Sequence, residues 1–154
     1  MTRKIKPTFL PWLHEAIPLT GHLGINRLAW QEQTLVAELE LAPLVNDKGT
    51  GFGGGVAGLA TLLGWCYVTL LLDEQGQVCP VVVKESCNHF TAPITADFSM
   101  HCWCEEPSGV EAFLQEHSEY QRANIQLRVE VRQGDRVAFH YQGSYVSLGN
   151  RQPG

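Results

Sequence analysis

The sequence predicts an α+β fold in which an antiparallel β-sheet is wrapped around one long central α-helix. Residues 53–72 form an uncharged, largely apolar run of the length expected for a long helix. The segments on both sides of this run alternate apolar and polar residues, which is typical of half-buried strands. No βαβ unit repeats along the chain, so the strands are expected to pair antiparallel.

The composition fits a single soluble domain spanning residues 1–154. Hydrophobic residues make up 44% of the 154 positions, which is enough for a buried core. The net charge is −5, and the basic cluster Arg3, Lys4 and Lys6 is expected to be a solvated tail. Nucleic-acid binding depends on clustered cations, so no nucleic-acid partner is expected.

Five cysteines at positions 66, 79, 87, 102 and 104 predict free thiols in a reducing cytoplasm. No Cys-x-x-Cys pair is present, so neither a metal site nor another cofactor is expected. The N-terminus lacks the apolar core of a signal peptide. Residues 53–72 have the length of a membrane span, but the amphipathic strands around them favour a buried core helix, and no membrane partner is expected.

The remaining elements follow from periodicity, turn residues and prolines. Thr8 is predicted to cap a helix over residues 9–17, which ends before Pro18. A short helix is predicted to open at Pro107. The predicted strands cover residues 25–30, 35–41, 78–90, 94–104, 125–131 and 137–141.

A glycine-rich loop, residues 46–55, leads into the long helix. Gly49, Gly51 and Gly54 satisfy the dinucleotide pattern Gly-x-Gly-x-x-Gly, and Asp73 follows about 20 residues later. In a dinucleotide-binding fold that acid ends a second parallel strand, whereas Asp73 is expected at the far end of the helix itself. We therefore interpret the match as coincidental, and nucleotide binding stays an alternative.

The first turn of the helix is the predicted centre of the chemistry. Gly53, Gly54 and Gly55 place backbone N–H groups without intrahelical partners at the positive end of the helix dipole. Such amides polarise a carbonyl oxygen and stabilise an oxyanion, and the missing Cβ atoms let a substrate approach. The alternative is that the glycines only permit a tight turn and close helix packing.

The loop residues 46–54, followed by Leu59-Ala60-Thr61-Leu62-Leu63-Gly64-Trp65, resemble the thioesterase family defined by the YiiD C-terminal domain, a branch of the hotdog superfamily. Residues 14–19 and 90–97 extend the resemblance over nearly the whole chain. It implies a hotdog fold that hydrolyses acyl thioesters of coenzyme A or acyl carrier protein without a cofactor. It also implies homodimers or homotetramers with active sites between subunits.

The resemblance also implies roles for individual residues. By position, Gly53 and Gly54 would hold the thioester oxygen, and Asn46 would orient the attacking water or the substrate. Better-studied relatives have His-Gly-Gly where this chain has Phe52-Gly53-Gly54, and an acidic residue nine positions after that His, where this chain has Thr61. A hydroxyl does not replace a carboxylate base without a helper, so the identity of the base is left open.

Candidates for the base are Asp47 in the loop and Glu85 on the strand after the helix, although ordinary solvated acids are the alternative for both. His89 also has a suitable unperturbed pKa. The expected substrate contacts are Thr50, Phe52, Gly55 and His89. Phe52, Trp65 and Tyr67 are either the lining of an acyl tunnel or plain core.

Two further functions are left open besides nucleotide binding. The missing helix acid favours a non-catalytic acyl-CoA-binding module. A hotdog dehydratase or hydratase acting on the same thioesters needs a well-placed histidine, which His89 or His101 would have to supply.

Overall fold

Six strands form one antiparallel sheet that curves around a long helix in the computed structural model, which describes residues 3–149. The helices are α1 (Phe9–Ala16), α2 (Gly53–Glu74) and α3 (Gly109–Tyr120). The strands are β1 (Ile25–Gln31), β2 (Thr34–Leu39), β3 (Val81–Phe90), β4 (Phe98–Trp103), β5 (Arg122–Gln133) and β6 (Arg136–Leu148). The sheet order β1-β2-β4-β5-β6-β3, with every pair antiparallel, confirms the predicted α+β hotdog class.

The core lies between α2 and the inner face of the sheet. Half of the 22 residues of α2 are buried, and they occur on most sides of the helix. The predicted alternation of β5 is confirmed, because its inward side chains are all 4% exposed or less: Ile125, Leu127, Val129 and Val131. By length and apolar composition α2 qualifies as a membrane span, but 61% of its most apolar stretch is buried by the rest of the chain.

A very close approach joins the middle of α2 to β6. The Tyr145 hydroxyl donates a hydrogen bond of 2.7 Å to the backbone carbonyl of Thr61, and it also contacts the Tyr141 hydroxyl at 2.8 Å. A Cβ atom on Gly64 would overlap the Tyr145 ring and hydroxyl. The close packing of the sheet against α2 therefore requires glycine at position 64.

Strand β3 is an edge of the sheet and changes its facing at a β-bulge near Lys84. Before the bulge, Val83 pairs with the inward Tyr145; after it, Glu85 pairs with the outward Ser144. The register therefore turns Ser86, Asn88 and Phe90 toward α2 and places Glu85, Cys87 and His89 on the outer face.

The basic N-terminal cluster is solvated at Lys4 and Lys6, as the sequence suggested, but not at Arg3. Arg3 lies 3.5 Å from Glu74 in an ion pair and stacks over the ring of Trp30. Lys6 pairs with Asp73 at 3.7 Å. Both cations lie at the C-terminal end of α2, where the helix dipole favours positive charge.

Two other boundaries differ from the prediction. Thr8 precedes α1 but makes no side-chain cap bond, and α1 ends at Ala16. The strand predicted over residues 94–104 begins only at Phe98, because the preceding segment bonds to side chains instead of to a neighbouring strand. The Thr95 amide donates to Gln133 Oε1 at 2.7 Å, for example.

Two glycines of α2 give a matched stability test. Gly64→Ala should lower the free energy of unfolding by about 1–3 kcal/mol, because the new methyl overlaps Tyr145. Gly58 is exposed with nothing within 4 Å of its Cβ position, so Gly58→Ala should raise stability by about 0.5–1 kcal/mol through helix propensity. Urea denaturation measures both, and equal stabilities of the two variants would contradict this packing.

Candidate active site

Asn46 organises the loop that leads into α2. Its Oδ1 accepts hydrogen bonds from the amides of Lys48 at 2.9 Å and Thr50 at 3.1 Å. Its Nδ2 donates to Thr50 Oγ1 at 3.0 Å and to the Gly51 carbonyl at 3.4 Å. Asparagine suits this position because its short amide imitates a backbone turn. The structure therefore brings Asn46 and Thr50 together, and each uses its hydrogen bonds within the loop.

Two backbone hydrogen bonds hold the chain on both sides as it enters the helix. The Gly51 amide donates to the Ile94 carbonyl at 2.9 Å, and the Phe52 amide donates to the Leu44 carbonyl at 2.7 Å. Phe52 is the N-cap residue and has an extended backbone, but no side chain caps the helix. The first helical bond runs from the Val56 amide to the Phe52 carbonyl at 2.9 Å.

The amides of Gly53, Gly54 and Gly55 have no hydrogen-bond partner within residues 3–149. Gly54 is exposed, and Gly53 and Gly55 are partly exposed. These three donors point out of the first turn of a 22-residue helix, at the positive end of its dipole. Because the helix start is open and not sealed in packed protein, the arrangement can bind an electron-rich oxygen.

An open cavity of about 380 Å³ adjoins the helix start. Its lining includes Gly51, Gly53, Phe90, Ile94 and Phe139. A Cβ atom on Gly53 would lie 3.4 Å from the Phe90 ring, so glycine widens the cavity at this point. A Cβ atom on Gly55, a predicted substrate contact, would lie 3.2 Å from the Leu44 side chain. Phe52, the other predicted contact here, is 56% exposed and lies beside Gly54.

No acidic side chain lies in the first turn of α2. Asp47, the candidate base of the loop, has an 84% exposed side chain and pairs with Lys48 at 3.1 Å. Thr61, at the position of the relatives' acid, lies two turns into the helix and donates its hydroxyl proton to the Ala57 carbonyl at 3.0 Å. The Thr61 hydroxyl is therefore left with acceptor capacity only, and its role stays a prediction.

Glu85 and His89 do not meet the helix start within one chain. Both lie on the outer face of β3, with the sheet between them and α2. There, His89 Nε2 lies 3.4 Å from the sulfur of Cys87. Either side chain could act at α2 amides only if those amides belong to another chain. Both assignments stay predictions.

Asn88 is an inward-facing polar residue that the sequence reasoning missed. It pairs across the strands with Tyr141, and its Oδ1 is buried without a hydrogen-bond partner in the described part of the chain. An unpaired buried amide oxygen is costly, so a partner outside this chain is expected to satisfy it. Alternation along β3 is the sequence signal for an inward-facing residue. The bulge at Lys84 reverses which residues face inward, so the alternation read from the sequence does not identify Asn88.

The aromatic candidates divide between surface and core. Tyr67 is fully buried and donates its hydroxyl to the Gln33 carbonyl at 2.9 Å, so it belongs to the core. Trp65 is half-buried, stacks on Trp12 with ring centroids 6.2 Å apart, and donates from Nε1 to the Val81 carbonyl. A tunnel that combines Tyr67 with the exposed Phe52 is therefore not formed.

The histidines named for dehydratase chemistry are both turned away from the helix start. His101 lies between the inward Met100 and Cys102, on the outer face, where Nε2 contacts Ser99 Oγ at 2.8 Å. Burial, aided by the charge of Arg132, lowers the pKa of His101. Among residues 3–149, no three His, Cys, Asp or Glu side chains are grouped so as to hold a metal ion.

Solved structures share this fold at low sequence identity. A protein of unknown function from Chlorobaculum tepidum superposes with a TM-score of 0.81 and 22% identity, covering 91% of each chain. A "putative thioesterase" from Shewanella oneidensis gives a TM-score of 0.76 and 22% identity, over 90% of this chain and 93% of that one. A "probable thioesterase" from Pseudomonas aeruginosa gives 0.73 and 17%, over 94% and 97%.

A family profile gives the assignment that these structures do not. Residues 8–149 match the family described as "Putative thioesterase (yiiD_Cterm)". The match contains the loop, the glycine-lined start of α2 and every strand of the sheet. The chain therefore belongs to the thioesterase-like family of the YiiD C-terminal domain.

Proposed function

We propose that the protein hydrolyses acyl thioesters of coenzyme A or acyl carrier protein in the cytoplasm. The observation that carries this proposal is the set of three glycine amides at the open start of α2, which no group in residues 3–149 accepts from. During attack on a thioester the carbonyl oxygen gains negative charge, and amides held by a rigid helix stabilise that charge without reorganising. Family membership supports the same reaction class.

The loop contributes by holding the amides in place. Asn46 bonds the turn together, while the Gly51 and Phe52 amides fasten it to Ile94 and Leu44. A misplacement of the donors by a fraction of an ångström reduces oxyanion stabilisation, so this anchoring is part of the catalytic arrangement. Asn46 keeps a second proposed role, the orientation of water, if its Nδ2 exchanges the long 3.4 Å bond for that water.

We further propose a homodimer in which the β3 strands of two protomers pair antiparallel. Strand β3 is a ten-residue edge with an unpaired side, and Val82 and Val83 are each 43% exposed on it. Long exposed edges with apolar side chains are prone to pair with another chain. Such pairing would cover Val83 and bring a second chain next to the inward Asn88, whose Oδ1 has no partner among residues 3–149.

A non-catalytic acyl-binding module is the second candidate. The observation that favours it is the lack of an acid in the first turn of α2, combined with Thr61 where relatives carry a carboxylate. Release of free thiol from a series of acyl-CoA substrates separates the two functions, because a binding module retains the intact thioester.

Gly54→Val should reduce thioester hydrolysis by about 100-fold or more, since the side chain must displace the Phe52 ring and crowd the oxyanion amides. Gly58→Val is the matched control, because it makes the same change one turn later at an exposed position with free space. Initial rates of thiol release, with circular dichroism and light scattering on each variant, measure the effect. Undiminished hydrolysis by a folded Gly54→Val protein would refute the helix-start mechanism.

Asn46→Ala should lower the free energy of unfolding by about 1–2 kcal/mol, because several loop hydrogen bonds lose their partner. Asp47→Ala is the neighbouring control and should stay within about 0.5 kcal/mol of the parent, because that side chain is exposed. Denaturant titration gives both values. A neutral Asn46→Ala would show that the loop does not depend on this side chain.

Val83→Asp should shift the protein toward monomer, because it places a charge on the apolar edge proposed to pair. Glu38→Asp, an exposed change on β2, serves as the control. Sedimentation velocity measures the distribution of species. A parent protein that is monomeric at micromolar concentration would remove the basis for the β3 dimer.

A further inference from the structure

A second cluster with catalytic chemistry lies at the other end of α2. Cys79, in the segment between α2 and β3, has its sulfur 3.9 Å from His117 Nε2 on α3. His117 Nδ1 lies 2.7 Å from the Ser147 hydroxyl on β6. His117 is 3% exposed and Ser147 is fully buried, while Cys79 is partly exposed. The three side chains therefore form a series of contacts that leads from the buried Ser147 to the partly exposed thiol of Cys79.

One tautomer of this histidine leaves Nε2 free to accept a proton. In that tautomer His117 Nδ1–H donates to the Ser147 oxygen at 2.7 Å, and the Ser147 hydrogen points to the Ala123 carbonyl at 3.5 Å. Nε2 is then left as the proton acceptor, and it is the atom that faces the sulfur. Burial lowers the pKa of His117 and raises the pKa of the Cys79 thiol, so the resting pair is a neutral imidazole and a thiol.

Cys79 lines a cavity of about 600 Å³ beside α2. The walls are mostly apolar and include Trp12, Trp65, Leu70 and Val78. Thr69 also lines this cavity, and its Oγ1 is buried without a hydrogen-bond partner within the described residues. A cavity of this size and mostly apolar lining suits an extended apolar chain.

We propose that Cys79 is a nucleophile that accepts the acyl group of an apolar acyl thioester, with His117 as its general base and Ser147 as a positioning residue. This inference rests on the proposed thioester hydrolysis and supplies a nucleophile for it, whereas the Thr61 hydroxyl donates its proton to the Ala57 carbonyl. The acyl chain occupies the cavity lined by Trp12 and Trp65.

The reaction balances without an oxidant, a reductant or a metal ion. The Cys79 proton moves to His117 Nε2 as the sulfur bonds to the acyl carbon. The bond from that carbon to the carrier sulfur breaks, and the carrier thiolate takes the proton from His117. Water then hydrolyses the acyl-Cys79 thioester, which releases the carboxylic acid and restores the thiol.

The dimer proposed above joins this cluster to the glycine amides. Along α2 of one chain, Gly54 and Thr69 are about 22 Å apart, so the two sites do not meet within a protomer. Cys79 precedes the beginning of β3, whereas Phe90 at its end lies against Gly53. Antiparallel pairing places the beginning of one strand beside the end of the other. Each Cys79 is thereby brought toward the helix start of the second protomer.

The chain provides its own control in a second cysteine–histidine pair. Cys87 is exposed and its sulfur lies 3.4 Å from His89 Nε2, but the pair is on the outer face of the sheet, and the large apolar cavity does not include it. If proximity to histidine alone produced reactivity, Cys87 would react at least as fast as Cys79.

The test combines acid-quenched reaction with decanoyl-CoA and alkylation by N-decyl iodoacetamide, both located by peptide mass spectrometry. We expect an acyl adduct on Cys79 and alkylation of Cys79 about 10-fold faster than that of Cys87. Cys79→Ala should abolish the adduct and reduce thiol release about 100-fold, and Cys87→Ala should change neither. His117→Gln should slow both reactions of Cys79 by about 100-fold. Ser147→Ala should slow the acylation and alkylation of Cys79 less than His117→Gln does, and Ser147→Thr should restore both rates.

The outcomes separate this inference from the proposed function. Hydrolysis at the parental rate by Cys79→Ala would overturn the nucleophile and leave the hydrolase standing. If the parent releases no thiol from decanoyl-CoA or from shorter acyl-CoA substrates, the proposed function fails. Alkylation of Cys79 no faster than that of Cys87 would then overturn the reactive thiol as well. Because Cys79→Ala removes only a partly exposed side chain, it reports on the role even if His117→Gln unfolds.

Discussion

The burial of α2 is the constraint on which the rest of the structure depends. The helix is apolar on nearly every side, so one sheet face must curve around it to remove that surface from water. The curvature is tight enough that the Tyr145 hydroxyl bonds the backbone of the helix, which only glycine at position 64 permits.

The same constraint creates the candidate site. A helix surrounded by a sheet along its length can be open only at its ends and along the side that the sheet does not reach. At the N-terminal end, the amides of three glycines have no partner in the described part of the chain, while the loop around Asn46 fixes their position. At the C-terminal end, Arg3 and Lys6 pair with the last acids of the helix, and Lys6 borders the apolar cavity that Cys79 lines.

The edge strand β3 connects these two ends. Strand β3 runs from the cavity at the C-terminal end of α2 to the glycines at the N-terminal end of α2. On the side away from β6, β3 has no strand partner in the described residues. In the proposed dimer this edge would join the proposed nucleophile of one protomer to the oxyanion donors of the other. Asn88 Oδ1, which has no hydrogen-bond partner in the described residues, lies on the same strand.

The sequence alone determined the fold class, the central helix, the antiparallel strands and the glycine-lined helix start, because these depend on periodicity and on local backbone chemistry. Periodicity could not show that Glu85 and His89 face outward, since the bulge at Lys84 reverses the alternation of β3. Nor could it bring Cys79, His117 and Ser147 together, because these residues come from three segments far apart in the chain. Only the packing of α3 against the sheet, where β6 carries Ser147, decides those distances, and tertiary contacts of this kind leave no pattern along a single sequence.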